Sequence, residues 1–187
     1  MNTASNARRI LQALDERLTA DVELTLYGRA ALHLGFPDPP SEFALSMDID
    51  VILWVGQAQA LAEATNFWQA IEETNQQFAT EGLYVSHLFE ETQVILRPNW
   101  RAERVRLAGD WSRLSLWRLG DLDLLLSKLM RDDPQDLRDA LFIVGSSRIT
   151  ESAIHPAITE ARIPDIPEIK EQFAVCCEKL LRSLRAA

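Results

Sequence analysis

The sequence predicts an α+β protein: a small mixed β-sheet flanked by helices, followed by a C-terminal region built only of helix. Three observations carry this expectation. Up to about residue 120, short runs with strand-like alternation interleave with stretches of helical period. From Asp121 onward every apolar pattern has helical spacing, with Pro134, Gly145 and Pro164 at the breaks. No segment repeats and none is of low complexity, so one mixed region, 1–120, precedes one helical region, 121–187.

Taken in order, residues 3–19 place Ile10, Leu11, Leu14 and Leu18 on one helical stripe. "VELTLYG" (Val22–Gly28) alternates and stops at glycine, as a strand running into a turn does. "RAALHLGF" reads as a short helix ended by Gly35 and the loop "PDPPSE". "FALSMDIDVILWV" (Phe43–Val55) reads as the next strand, its second half apolar enough for the middle of a sheet. One long helix is expected over 57–80, then two strands, "LYVSHLF" and "TQVILRP", joined through Glu90 and Glu91. "LSLWRL" (Leu114–Leu119) supplies a short fifth strand.

Composition narrows the function classes. The chain carries a net charge of −9 with 47% hydrophobic residues, which argues against a broad electrostatic grip on nucleic acid. No window approaches the roughly 18–20 apolar residues of a membrane span. The first residues form an amphipathic pattern without the apolar core of a signal peptide. The two cysteines, Cys176 and Cys177, are adjacent and poorly placed to bridge each other, so a reducing cytoplasmic setting is expected.

The stretch "SMDIDVILW" (Ser46–Trp54) poses the chemical question. In a strand, residues two apart point to one side, so Asp48 and Asp50 set two carboxylates side by side. Like charges so close raise a pKa unless a cation lies between them, and a hard divalent ion such as Mg²⁺ accepts one or two carboxylates together with phosphates and water. On an edge strand the same pair would simply be solvated. Upstream, "LTLYGRAALHLGF" brings a glycine-ended strand and a helix start beside the pair, a seat for phosphate in which Gly28 allows the turn and Arg29 offers a fork of donors.

These residues resemble the nucleotidyltransferase superfamily with the polymerase-beta-like fold, and within it small bacterial proteins related to abortive-infection toxins of toxin–antitoxin systems. There, a strand ending in glycine and a small residue leads into a helix, and the next strand carries D-x-D; here these are Gly28, Arg29, Asp48 and Asp50. A second patch, "DLDLLLSKLMRDDPQDLRDALFI" (Asp121–Ile143), matches the pattern of a lysine-bearing helix, an acidic turn and D-x-x-D through Lys128, Asp132, Asp133, Asp136 and Asp139. The resemblance implies Mg²⁺ held by Asp48 and Asp50, NTP phosphates at Gly28 and Arg29, and added charge from Lys128. It implies transfer of a nucleoside monophosphate to an RNA, protein or small-molecule acceptor, with an antitoxin-like partner if the protein is a toxin. Two departures point to an alternative, a catalytically silent regulator that binds nucleotide or partner. Arginine stands where active members usually have a small residue, and no third acid lies in the later strands, where only Glu90 and Glu91 come near.

Other features carry less. D-x-D with a later lysine also resembles haloacid-dehalogenase-like phosphatases, but Lys128 and Asp132 are four residues apart on one expected helix rather than on separate elements. On that helix they would pair at i,i+4. His33, His87 and His155 lack ligand spacing and read as structural. The arginine-rich stretch 97–118, with Trp100, Trp111 and Trp117, fits either RNA stacking or a strand pair with its tryptophans in the core.

Overall fold

A computed structural model describes residues 5–186, the side chain of His87 apart. Among the described residues the protein is mixed α+β, with eight α-helices and one five-stranded sheet. The chain divides into two compact units: residues up to Glu90 with Val105–Arg118, and Glu91–Arg104 with Leu119 onward. The segment 91–104, read from sequence as part of the first region, therefore belongs to the second unit. No helix among the described residues is long and apolar enough to cross a membrane.

The first unit begins with α1 (Asn6–Arg17), whose start is capped by the Ser5 hydroxyl accepting from the Arg8 amide. It continues through β1 (Val22–Tyr27), α2 (Gly28–Gly35), a 3₁₀ turn at Ser41–Leu45 and β2 (Asp48–Leu53). Then come α3 (Gln57–Ala64), α4 (Phe67–Phe78), β3 (Tyr84–Glu90), β4 (Val105–Arg106) and β5 (Leu114–Arg118). The sheet order is β3-β2-β1-β5-β4. β2 runs antiparallel to β1 and parallel to β3; β5 runs parallel to β1 and antiparallel to β4. Leu24 and Leu26 of β1 and Ile49, Val51 and Leu53 of β2 are fully buried; α1 and α2 pack against these strands and α4 against β3. The alternate residues of β2, Asp48 and Asp50, face the other way and are half-buried.

One carboxylate holds α1 to the central sheet. Asp15 is 2% exposed and accepts three backbone N–H bonds from the approach to β5: Ser112 at 2.7 Å, Arg113 at 2.8 Å and Leu114 at 2.7 Å. A charged acceptor with three donors is well compensated, and removing it leaves those donors facing a void. Asp15→Ala is therefore expected to cost about 3 kcal/mol, lowering the unfolding temperature by roughly 6–12 °C. A calorimetric shift below about 1 °C would show that the amides find other partners.

Several elements differ from the sequence expectation. The strand expected from Phe43 begins only at Asp48, because Pro40 opens a 3₁₀ turn that buries Phe43. The helix expected over 57–80 breaks at Thr65 and Asn66. There the Thr65 hydroxyl accepts from the Phe67 amide, and the Asn66 side chain bonds Thr19 and Arg17 backbone. "TQVILRP" forms no ladder: Val94, Ile95 and Leu96 are buried in succession, with one isolated bridge from Leu96 to Arg162.

The second unit holds α5 (Asp121–Lys128), α6 (Pro134–Ser147), α7 (Glu151–Glu160) and α8 (Pro167–Ala186). Asp133 caps α6 by accepting from the Gln135 amide, with Pro134 in the first helical position. Segment 91–104 is anchored by Trp100, buried and donating its indole N–H to Glu91 at 2.8 Å. Arg97 pairs with the fully buried Asp123 at 2.7 Å. The arginine–tryptophan stretch is thus divided between the two units, and in the second Arg97 and Trp100 are spent on internal contacts.

Candidate functional site

The site is assembled around β2. Tyr27, the last residue of β1, stands opposite Asp50 in the antiparallel register, so the chain leaves β1 at Gly28 beside that aspartate. Gly28 has φ +67°, and a Cβ built on it would lie 2.4 Å from Asp50 Oδ2. Glycine is required here twice over: the backbone is left-handed, and the carboxylate occupies the space where a side chain would begin. The expected apposition of the aspartate to the glycine-ended turn is present. The helix that follows, α2, receives no side-chain cap from Tyr27, and its N-terminal partial positive charge lies beside Asp50.

Each acid is oriented by a serine. Ser46 Oγ donates to Asp48 Oδ1 at 3.1 Å, and Ser86 Oγ donates to Asp50 Oδ1 at 2.6 Å. Ser86 comes from β3 at an irregular point in the ladder. Ile49 registers with Val85 and Val51 with Leu88, so β3 places two residues, Ser86 and His87, against the single Asp50. The extra residue brings the serine hydroxyl to the carboxylate. Sequence reading did not single out Ser46 or Ser86; the D-x-D spacing marks the acids, but nothing local marks a serine 36 residues away.

Where a third carboxylate is expected, β3 offers a hydroxyl. Glu90 registers with Leu53, which points to the opposite side of β2 from Asp50. Glu90 therefore does not stand in for the third acid. Glu91 lies in the second unit and accepts from Trp100. Among the described residues no group of three His, Cys, Asp or Glu side chains is arranged to hold a metal. A Mg²⁺ ion at Asp48 and Asp50 would complete its oxygen shell from nucleotide phosphates and water, which suits this ion, since it commonly binds through one or two carboxylates plus substrate.

Arg29 is 18% exposed in its side chain, with its guanidinium 5.2 Å from the centre of the Phe43 ring and 3.9 Å from the Glu42 carboxylate. The 3₁₀ turn before β2 thus fixes the arginine near the start of α2. Lys128 has a different environment from the one its spacing suggests. It is 7% exposed, and its ammonium donates to Asp139 at 2.8 Å and Asp136 at 3.1 Å. Asp136 also receives Arg131 at 2.8 Å. The expected i,i+4 partner, Asp132, is taken by Lys179 at 2.6 Å.

His33 is half-buried on α2, and burial, aided by Arg8, lowers its pKa, favouring the neutral ring. His155 is exposed and bonds Glu151, and the side chain of His87 lies outside the described residues. Cys176 and Cys177 are buried on α8, where burial pushes the Cys177 thiol up to about 12. No family model, curated protein or solved structure matches the chain.

Proposed function

We propose that the protein is a nucleotidyltransferase-like protein that binds an NTP with Mg²⁺ at Asp48 and Asp50 and transfers its nucleoside monophosphate to an acceptor hydroxyl. The observation that carries the reading is the Asp50 carboxylate set against the side-chain-free Gly28 at the start of α2. Mg²⁺, when bound, would neutralise triphosphate charge and polarise the phosphoryl group under attack. Asp48 and Asp50 supply the negative charge that retains the ion, and Ser46 and Ser86 fix their rotamers. The α2 N-terminus favours phosphate, and Arg29 adds a cation next to it. In the reaction the acceptor hydroxyl loses its proton to water, its oxygen bonds to the α-phosphorus, the α–β phosphoanhydride bond breaks and pyrophosphate leaves. Acceptors of the RNA, protein or small-molecule class fit this chemistry equally. The toxin role and its antitoxin-like partner rest on resemblance alone.

A second reading, a regulator that binds nucleotide without turnover, is favoured by one observation: β3 presents Ser86 rather than an acid to Asp50. One experiment separates the two. The protein is mixed with Mg²⁺ and each α-labelled NTP, with binding followed by calorimetry and transfer by pyrophosphate release. Release with a labelled product supports transfer. Saturable Mg²⁺-dependent binding without release supports the regulator, and absence of binding by all four nucleotides removes both.

A further inference from the structure

From the side chains around the two acids we infer that Tyr84 is the platform on which the nucleobase stacks, an assignment that rests on the nucleotide-binding reading. Tyr84 registers with Asp48 across the parallel β2–β3 ladder, so its side chain rises on the acids' side of the sheet. Adjacent strands are about 5 Å apart, which roots the ring next to the carboxylate pair. Tyr84 is 42% exposed. Other aromatics on this side are already engaged: Tyr27 and Phe89 meet edge to face, centroids 6.0 Å apart at 85°, and Trp117 of β5 has the Arg106 guanidinium 5.9 Å from its ring centre.

The backbone beneath Tyr84 is held from both sides. Its amide donates to the Met47 carbonyl at 3.1 Å. On the outer edge, the Asn75 side chain accepts from the Val85 amide at 2.7 Å and donates to the Val85 carbonyl at 3.2 Å. An exposed aromatic on a fixed backbone loses little freedom when a flat ring lies on it. Stacking uses the π-face that every base has, so this platform selects nucleotides over bare polyphosphate while discriminating weakly among bases.

Calorimetry with Mg²⁺·ATP and Mg²⁺·tripolyphosphate tests the assignment on the wild type, Tyr84→Ala and Tyr84→Phe. Tyr84→Ala is expected to weaken ATP about 10-fold while leaving tripolyphosphate unchanged, and Tyr84→Phe to bind both as the wild type does. ATP affinity unchanged in Tyr84→Ala overturns the stacking role and leaves the phosphate site standing. So does an equal loss for both ligands, which would mark a structural effect. If the wild type binds neither ligand, the nucleotide reading itself fails and takes this assignment with it.

Discussion

Asp48→Asn and Asp50→Asn are each expected to weaken Mg²⁺-dependent nucleotide binding by more than about 100-fold, while leaving the fold as stable as the wild type or more so. Groups that only orient a metal ligand typically contribute about 10–100-fold in affinity, so removing the charged ligand itself should exceed that range. A unit charge about 4 Å from an ion is worth about 4 kcal/mol at the effective dielectric of a protein surface, which leads to the same expectation. Stability moves the other way because, without a cation, two carboxylates on one face of β2 repel each other, and the isosteric amide removes that repulsion. The serine bonds survive in both variants, since the amide oxygen still accepts from Ser46 or Ser86. Loss of binding with an unfolding temperature equal to or above the wild type's is the signature of a site. Unchanged nucleotide affinity in both variants would end the proposal that these acids hold the ion.

What the sequence made legible was what depends on local period. The alternation of β2 puts Asp48 and Asp50 on one side and Ile49 and Val51 on the other whatever the partner strands are, and Gly28 marks the end of β1 by its position after an alternating run. What depended on distant pairing was hidden. Ser86 reaches Asp50 only because β3 accommodates an extra residue, and a ladder irregularity between strands 36 residues apart leaves no trace in composition. β5 reads as a marginal strand, yet it pairs along β1 from Val22 to Leu26, its first residue held by Asp15 from α1. Val94–Leu96 resembles a strand because it is apolar, but consecutive burial on all sides is equally the mark of a segment packed into a helical unit.

Lys128→Met is expected to destabilise the protein by ~3–5 kcal/mol, the cost of leaving buried acids without their counter-charge. The i,i+4 spacing to Asp132 suggests an exposed pair, but α5 ends at Lys128, and the chain turns so that Asp136 and Asp139, eight and eleven residues on, meet its ammonium instead. Both aspartates are almost fully buried, and although Asp136 retains Arg131 in the variant, Asp139 loses this ammonium. Adding Asp139→Asn should therefore recover part of the loss, and a double-mutant cycle in chemical unfolding would give a coupling of about 1–3 kcal/mol. A nucleotide-contacting lysine predicts a different pattern: Lys128→Met would cut nucleotide affinity, spare stability and show no coupling to Asp139. The geometry favours the first pattern, because an ammonium bonded to two carboxylates inside a helical unit would have to leave both before it could meet a phosphate.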